Sequence, residues 1–270
     1  MPTTPVILLP PSEGKRPGGS GAAWKARTCS FPTLDPTRRK VMAALLTAMR
    51  GPEADRMKLL SVKGVALTAG TSINLSVKRS GTMPAIDRYA GVLYDALDAA
   101  HLPKRARTRL DSDVVIFSGL FGAVMAGDQI PDYKLKMGGG LPEIGNVSLL
   151  WRTPLTDALT PMLTGRVLWN LLPKEHDNAW TCPTATTTRT MSVRFLDEEV
   201  RSKGEPRSFT TVNHWNKLLK GALVRFILET GADEPGALST FTHPEGYEYD
   251  PSLTETINDR IVIAMVRPPA

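Results

Sequence analysis

Near the amino terminus the run Val6-Ile7-Leu8-Leu9 stops abruptly at Pro10-Pro11 and passes into Ser12-Glu13-Gly14-Lys15. Apolar residues without polar alternation fit a strand buried on both faces, as in the middle of a parallel sheet. Proline cannot donate to a β-ladder, so the pair ends the strand and sends a polar tetrad off its carboxyl end. In open α/β sheets that end is where ligands bind. A hydroxyl, a carboxylate, a glycine and a cation in one loop suit an anionic ligand, and a turn with solvated charges is the plain alternative. The eight-residue spacing of a Walker A loop is missing, so a nucleoside triphosphate site is not implied.

Further strands are expected at 114–117, 166–172, 190–196, 209–212 and 260–266, all rich in β-branched or aromatic residues. Helices are expected at 37–50, with Asp35 as N-cap, Pro36 in the first turn and Gly51 as the stop, and at 85–100 and 215–229. Strands and helices are mixed without regular alternation, which makes the fold class mixed α/β. Five residues of Gly or Pro among basic side chains at 14–21 predict a mobile loop over 14–35, and 138–145 reads as a second irregular stretch. No repeat or long polar linker divides the chain, so residues 1–270 are expected to form a single compact unit, with 36–80 as a basic helical subregion.

Charge sharpens that subregion. Residues 1–80 hold 13 Lys and Arg against 4 Asp and Glu, whereas the whole chain is only +6. Such an excess is the footprint of a polyanion partner or simply a solvated basic surface. No apolar run approaches the roughly 18 residues of a membrane span. The first apolar stretch is too short and too proline-rich for a signal-peptide core, so no membrane partner and a cytoplasmic location are expected. Cys29 and Cys182 are the only cysteines, with no Cys-x-x-Cys or His pair at metal spacing, and neither a disulfide framework nor a metal site is indicated. Nothing in the sequence assigns a cofactor.

Three more motifs carry possible chemistry. Ser118-Gly119 closes the predicted strand at 114–117 and offers a hydroxyl and backbone N–H groups, but it lacks the preceding glycine of a nucleophile elbow. Downstream, Tyr133, Leu135 and Met137 alternate with Lys134 and Lys136, as in a half-buried strand with one basic face. On the helix at 215–229, Lys217, Lys220 and Arg225 form a cationic stripe with Gly221 in its midst, a position that calls for close packing or for access to a ligand. The segment Leu59-Leu60-Ser61-Val62-Lys63-Gly64-Val65-Ala66 partly matches a helix-hairpin-helix turn, whose backbone N–H groups face DNA phosphates, although Ala66 replaces its second glycine. Lys58, Lys63, Lys78 and Arg79 surround it. Among the four histidines, His176 beside Lys174, Glu175 and Asp177 is the best general-base candidate.

Together these segments resemble the YaaA family of peroxide stress proteins. The resemblance rests on the stretch from Leu8 to Lys15, on Tyr89-Ala90-Gly91-Val92-Leu93-Tyr94, and on Ser118-Gly119-Leu120-Phe121-Gly122 with Asp128, Tyr133, Lys136, Met137 and Gly138. It continues through Leu150-Trp151, Asn170-Leu171, Lys217 to Arg225 and Glu245-Gly246-Tyr247. It implies a mixed α/β body with a helix-hairpin-helix-like element that binds duplex DNA, and protection against peroxide by limiting unincorporated iron. The DNA contact then falls on Lys58, Lys63, Gly64, Lys78 and Arg79. The other function class is an enzyme acting on an anionic small molecule, a nucleotide or phosphorylated metabolite. Lys217, Glu245 and Ser118 would be its catalytic groups, with Ser12, Lys15, Gly119, Lys136, Asn170, Lys220 and Arg225 binding the ligand.

Overall fold

A computed structural model describes residues 4–25, 27–200, 205–212, 216–243 and 245–269. Its centre is an eight-stranded sheet. In chain order the strands are β1 (Val6–Leu9), β2 (Val114–Ser118), β3 (Gly122–Met125), β4 (Val167–Asn170), β5 (Arg189–Glu198), β6 (Phe209–Thr211), β7 (Glu248–Ile257) and β8 (Arg260–Arg267). They lie in the order β7-β8-β5-β4-β1-β2-β3, with β6 pairing β5. β1 runs parallel to both neighbours, Leu8 standing between Val115 and Asn170, and all four of its side chains are buried. The parallel block continues through β4, β5 and β8, and antiparallel β3, β6 and β7 complete the sheet.

The chain leaves β1 for β2 on one side and places β4 on the other. That reversal opens a crevice beyond the carboxyl end of β1. The loops after β1, β2 and β4 all start there.

Helix α1 (Asp35–Arg50) buries Val41, Met42, Leu45 and Met49 and stops at Gly51. Asp35 is its first helical residue and not its N-cap; the carboxylate instead accepts from Arg27 N and from the Arg38 guanidinium. α2 (Glu53–Leu60) and α3 (Val65–Ser76) form a hairpin through Ser61 and Gly64, at φ 53° and 58°. The expected helix at 85–100 is broken. One turn, Ala85–Arg88, is followed by α4 (Val92–Leu97) and a 3₁₀ turn at Ala99–His101. Gly91, at φ 120°, separates the first two, and the backbone there turns to receive the amino-terminal loop. Ala90 N donates to Gly14 O at 3.1 Å, and Lys15 bridges Tyr89. α5 (Lys104–Asp113), α6 (Val147–Leu163) and α7 (Asn216–Thr230) cover the sheet; Trp215, the expected start of α7, lies outside the described residues. Within 138–145, Gly140–Leu141 pairs with Gly145–Asn146. No helix among the described residues is long and apolar enough to cross a membrane.

In its described residues the loop over 14–35 is tied to the body of the fold by backbone and side-chain hydrogen bonds, in place of the expected free loop. Its glycines serve backbone contact: Gly21 pairs with Thr82, and a Cβ on Gly81 would stand 2.1 Å from Gly19 O. Two fully buried guanidinium groups hold it. Arg88 donates to the carbonyls of Arg16, Gly18 (2.8 Å), Gly81 (3.2 Å) and Ile130 (3.2 Å). Arg38 donates to Ser30 O, Phe121 O and Ala123 O and pairs with Asp35.

Replacing Arg88 by Met leaves these carbonyls without their shared donor. We expect a loss of roughly 3 kcal/mol or more, read from denaturant unfolding, together with proteolytic cleavage within residues 14–22 of the otherwise folded chain. An unchanged midpoint and an uncleaved loop would contradict the clamp.

Candidate functional site

The loop leaving β1 is tied down first. Tyr94 OH donates to Pro10 O at 2.8 Å, and Ser12 Oγ donates to Ala90 O. Lys15 then folds back, its Nζ donating to Ser12 O at 3.1 Å while standing 4.3 Å from the Tyr133 ring centroid and 5.5 Å from that of Tyr89. Beneath the amine runs a buried hydroxyl chain. Ser118 Oγ and Tyr133 OH are 2.7 Å apart, Tyr133 OH and Tyr89 OH 2.8 Å, and Phe121 N donates to Ser118 Oγ. Burial raises both phenols, Tyr133 to about 12, so they stay protonated. Ser118 is wholly enclosed. Its hydroxyl orients Tyr133 from within the core, one residue removed from the crevice surface.

One wall of the crevice is the extended segment 132–137. Tyr133, Leu135 and Met137 are buried while Lys134 and Lys136 are partly exposed, the alternation of a strand. It joins no ladder, because Asn74 of α3 takes the place of a neighbouring backbone: its Oδ1 accepts from Lys134 N at 2.8 Å and its Nδ2 donates to Lys134 O at 2.9 Å. Nothing in the sequence marks Asn74 for this. Gly119 lets the segment pass, since a Cβ there would meet Leu135 O at 2.6 Å. The structure thus gives Gly119 a packing role.

Ser12, Glu13, Lys15, Tyr133, Lys136 and His176 share this crevice. Along α3 it opens into a recess of about 230 Å³ walled by Ala66, Ala69, Gly70 and Ile73. Past Lys136 and Glu175 it adjoins a hollow of about 780 Å³ that reaches Asp55, Lys58 and Ser61 of the hairpin. Lys136 Nζ pairs with Glu13 at 3.1 Å and, with weaker help from Lys134 and Lys217, holds that carboxyl below its usual range. Burial pulls Lys15 down to about 8 against the pull of Asp132, and burial in turn raises Asp132. His176 is buried, which lowers its pKa, and its Nδ1 has no hydrogen-bond partner among the described residues.

The cationic stripe of α7 divides. Lys217 is exposed within electrostatic reach of Glu13, and Lys220 Nζ donates to Leu171 O just past β4, where burial lowers it to about 8. Arg225 turns away to the end of α4, donating to the carbonyls of Leu97, Asp98 and His101 and pairing with Glu229, so it is a helix cap and not a pocket residue. Gly221 is no ligand opening: a Cβ would stand 2.3 Å from Leu93 O, and the glycine lets α7 pack on α4. Asn170 shapes the turn after β4 through Asp177 and Leu172 N. Glu245 acts electrostatically on Tyr247 and Arg267, which both bond Asp197 near the carboxyl ends of β5 and β8, two and three strands from β1. Lys58, Lys63, Gly64, Lys78 and Arg79 are all exposed around the hairpin. Among the described residues, no group of three or more His, Cys, Asp or Glu is placed to hold a metal.

The lowered pKa of Lys15 ties stability to pH. With a pKa of about 8 in the fold and 10.5 unfolded, the folded chain binds fewer protons between those values, so stability rises with pH across that window. At pH 7 the fold carries the cost of a buried ammonium, partly returned by the tyrosine rings. Lys15→Met is expected to gain about 2 kcal/mol at pH 7, shrinking as pH rises from 8 toward 10. Thermal melts across that range check it; a loss at pH 7 would count against the burial cost.

The sequence is similar to those of known proteins. The family model described as peroxide stress protein YaaA matches residues 6–253. A UPF0246 protein of Streptomyces coelicolor is 34% identical over 247 residues, covering 91% of this chain and 92% of its own. One from Corynebacterium glutamicum is 37% identical over 226 residues, covering 82% and 84%, and one from Salinispora tropica is 29% identical, covering 93% and 90%. The β1 loop, the hairpin, the segment at 132–137 and α7 all fall inside the matched span, and the chain belongs to the YaaA family of peroxide stress proteins.

Proposed function

We propose that this protein binds duplex DNA without sequence preference through the α2–α3 hairpin, and that in the peroxide stress response it limits iron-dependent damage to that DNA. The observation that carries the reading is the hairpin tip. Ser61 in the left-handed region and Gly64 at φ 58° reverse the chain. α3 starts immediately after Gly64, whose carbonyl takes the N–H groups of Leu67 and Thr68, so that those of Val65 and Ala66 are the helix's first orphan donors. Val65 is 88% exposed at the tip, and Met57 is exposed on α2. Lys58, Lys63, Lys78 and Arg79 surround them, and none of the four is in an ion pair among the described residues. Exposed apolar side chains amid unpaired cations suit a contact surface for a polyanion. The family description supplies the link to peroxide.

A second reading, an enzyme acting on an anionic small molecule, draws support from the crevice, where Ser12, Lys15, Lys136, Lys217 and Lys220 gather at the carboxyl ends of β1 and β4. The hairpin and the crevice share α3, so the two readings concern adjoining surfaces.

Binding to a random-sequence duplex should weaken steeply with salt, with a log–log slope of about −0.9 for each phosphate contacted. Replacing Lys58, Lys63, Lys78 and Arg79 by Ala should flatten that slope by about 2 to 4 and weaken binding alike for all sequences. A slope unmoved by the four substitutions would remove the hairpin from the interface. In cells, deleting the gene should sensitise the strain to hydrogen peroxide, and a cell-permeant iron chelator should restore survival; full survival without the gene would defeat the physiological half of the proposal.

A further inference from the structure

Lys15 stands apart among the crevice lysines by its place over two rings, since Lys134 and Lys217 are likewise in no ion pair among the described residues. Lys136 is paired with Glu13, and Lys220 is engaged by Leu171 O. Lys15 is in no ion pair among the described residues, and its one hydrogen bond goes to Ser12 O within its own loop. Its amine lies over two aromatic faces that stay protonated phenols. An amine kept in this way can shed its proton near neutral pH and act as a nucleophile. His176, in the same crevice, is likewise unengaged at one ring nitrogen. It is 9% exposed, and its buried Nδ1 has no partner among the described residues. Burial favours its neutral form, which can take up a proton.

The space in front of the amine is bounded by α3. Ala66, Ala69, Gly70 and Ile73 share one face of that helix and, with Glu13, Lys15 and residues 132–134, line the recess of about 230 Å³, while His176 lines the adjoining crevice that Lys15 also faces. From Val65, at the hairpin tip, to Gly70 the helix rises about 7 Å, close to the spacing of successive phosphates along a strand. A phosphate on the amides at the tip would then set the neighbouring sugar along the α3 face that lines the recess together with Lys15. The small side chains leave room for a deoxyribose. Radical damage to DNA releases bases and leaves such sugars, each with an aldehyde at C1′ in its open form.

We propose that Lys15 forms an imine with the C1′ aldehyde of an abasic deoxyribose in duplex DNA, and that His176 takes the C2′ proton to release the 3′-phosphate. The proposal rests on the DNA-binding reading above. The Nζ lone pair adds to C1′, and the carbonyl pair moves to oxygen, which takes a proton from the nitrogen. A proton from solvent on that hydroxyl lets it leave as water, and the nitrogen lone pair closes the iminium. His176 accepts the C2′ proton, the freed pair enters the conjugated system, and the C3′–O bond breaks with its electrons leaving on the phosphate. Water then hydrolyses the unsaturated imine and returns Lys15. No oxidant or reductant is consumed.

The test uses the full chain, a duplex with a single abasic site, and borohydride reduction. Wild type should give one covalent adduct per chain, mapped by peptide mass to Lys15, and should nick the unreduced duplex. Lys15→Ala and Lys15→Arg should lose both while binding intact duplex within twofold of wild type. His176→Gln should still be trapped but should cleave at least tenfold more slowly; unchanged cleavage removes His176 from the proposal. A wild type that binds intact duplex yet gives no adduct, or an adduct that persists in Lys15→Ala, overturns the proposal. Free 2-deoxyribose with cyanoborohydride separates the two readings. Selective labelling of Lys15 in a protein that does not bind duplex overturns the DNA substrate and keeps the amine, and labelling spread over surface lysines overturns both.

Discussion

The buried guanidinium of Arg88 sets the geometry on which the rest of the crevice depends. Its donors reach the carbonyls of Arg16 and Gly18 in the amino-terminal loop, Gly81 in the turn after α3, and Ile130 just ahead of the extended segment. A planar fork with five donors can join three stretches of backbone at one point, which lysine cannot do. Neutral carbonyls are the partners, so the ion's desolvation is offset by hydrogen bonds and not by a directly paired carboxylate. Tyr89 follows immediately in sequence, and its backbone bridge to Lys15 fixes the backbone of that residue relative to the anchor. Arg38 does the same for 27–35, so two interior cations hold a segment whose composition suggests freedom.

What the sequence revealed depended on whether the signal was local. β1 was readable because an apolar run ended by two prolines admits few other structures, and the observed strand is Val6–Leu9. β2, β4, β5, β6 and β8 were placed within about two residues for similar reasons. The glycines at 14–21 misled because glycine serves mobility and close approach equally well, and only the position of Gly81 against Gly19 decides which. The helix read at 85–100 failed for a related cause: its periodicity is real on either side of Gly91, but a loop distant in sequence requires the break.

The candidate site was legible only in part. Ser12, Lys15, Lys136 and His176 meet, and each stands near a strand end or an extended run visible beforehand. Arg225 shared the helical face of Lys217 and Lys220, yet periodicity cannot tell a ligand contact from a cap on a neighbouring helix. Ser118 and Gly119 occupy the expected strand end, but their roles are internal, since Tyr133 and the backbone at Leu135 come from farther along the chain.

The two hydrogen bonds between Asn74 and Lys134 make a side chain of the hairpin behave as a strand neighbour of the crevice wall. The carboxyl-terminal part of α3 is thereby stitched to the crevice wall, so a displacement of the helix at Asn74 strains two hydrogen bonds of the segment that carries Tyr133.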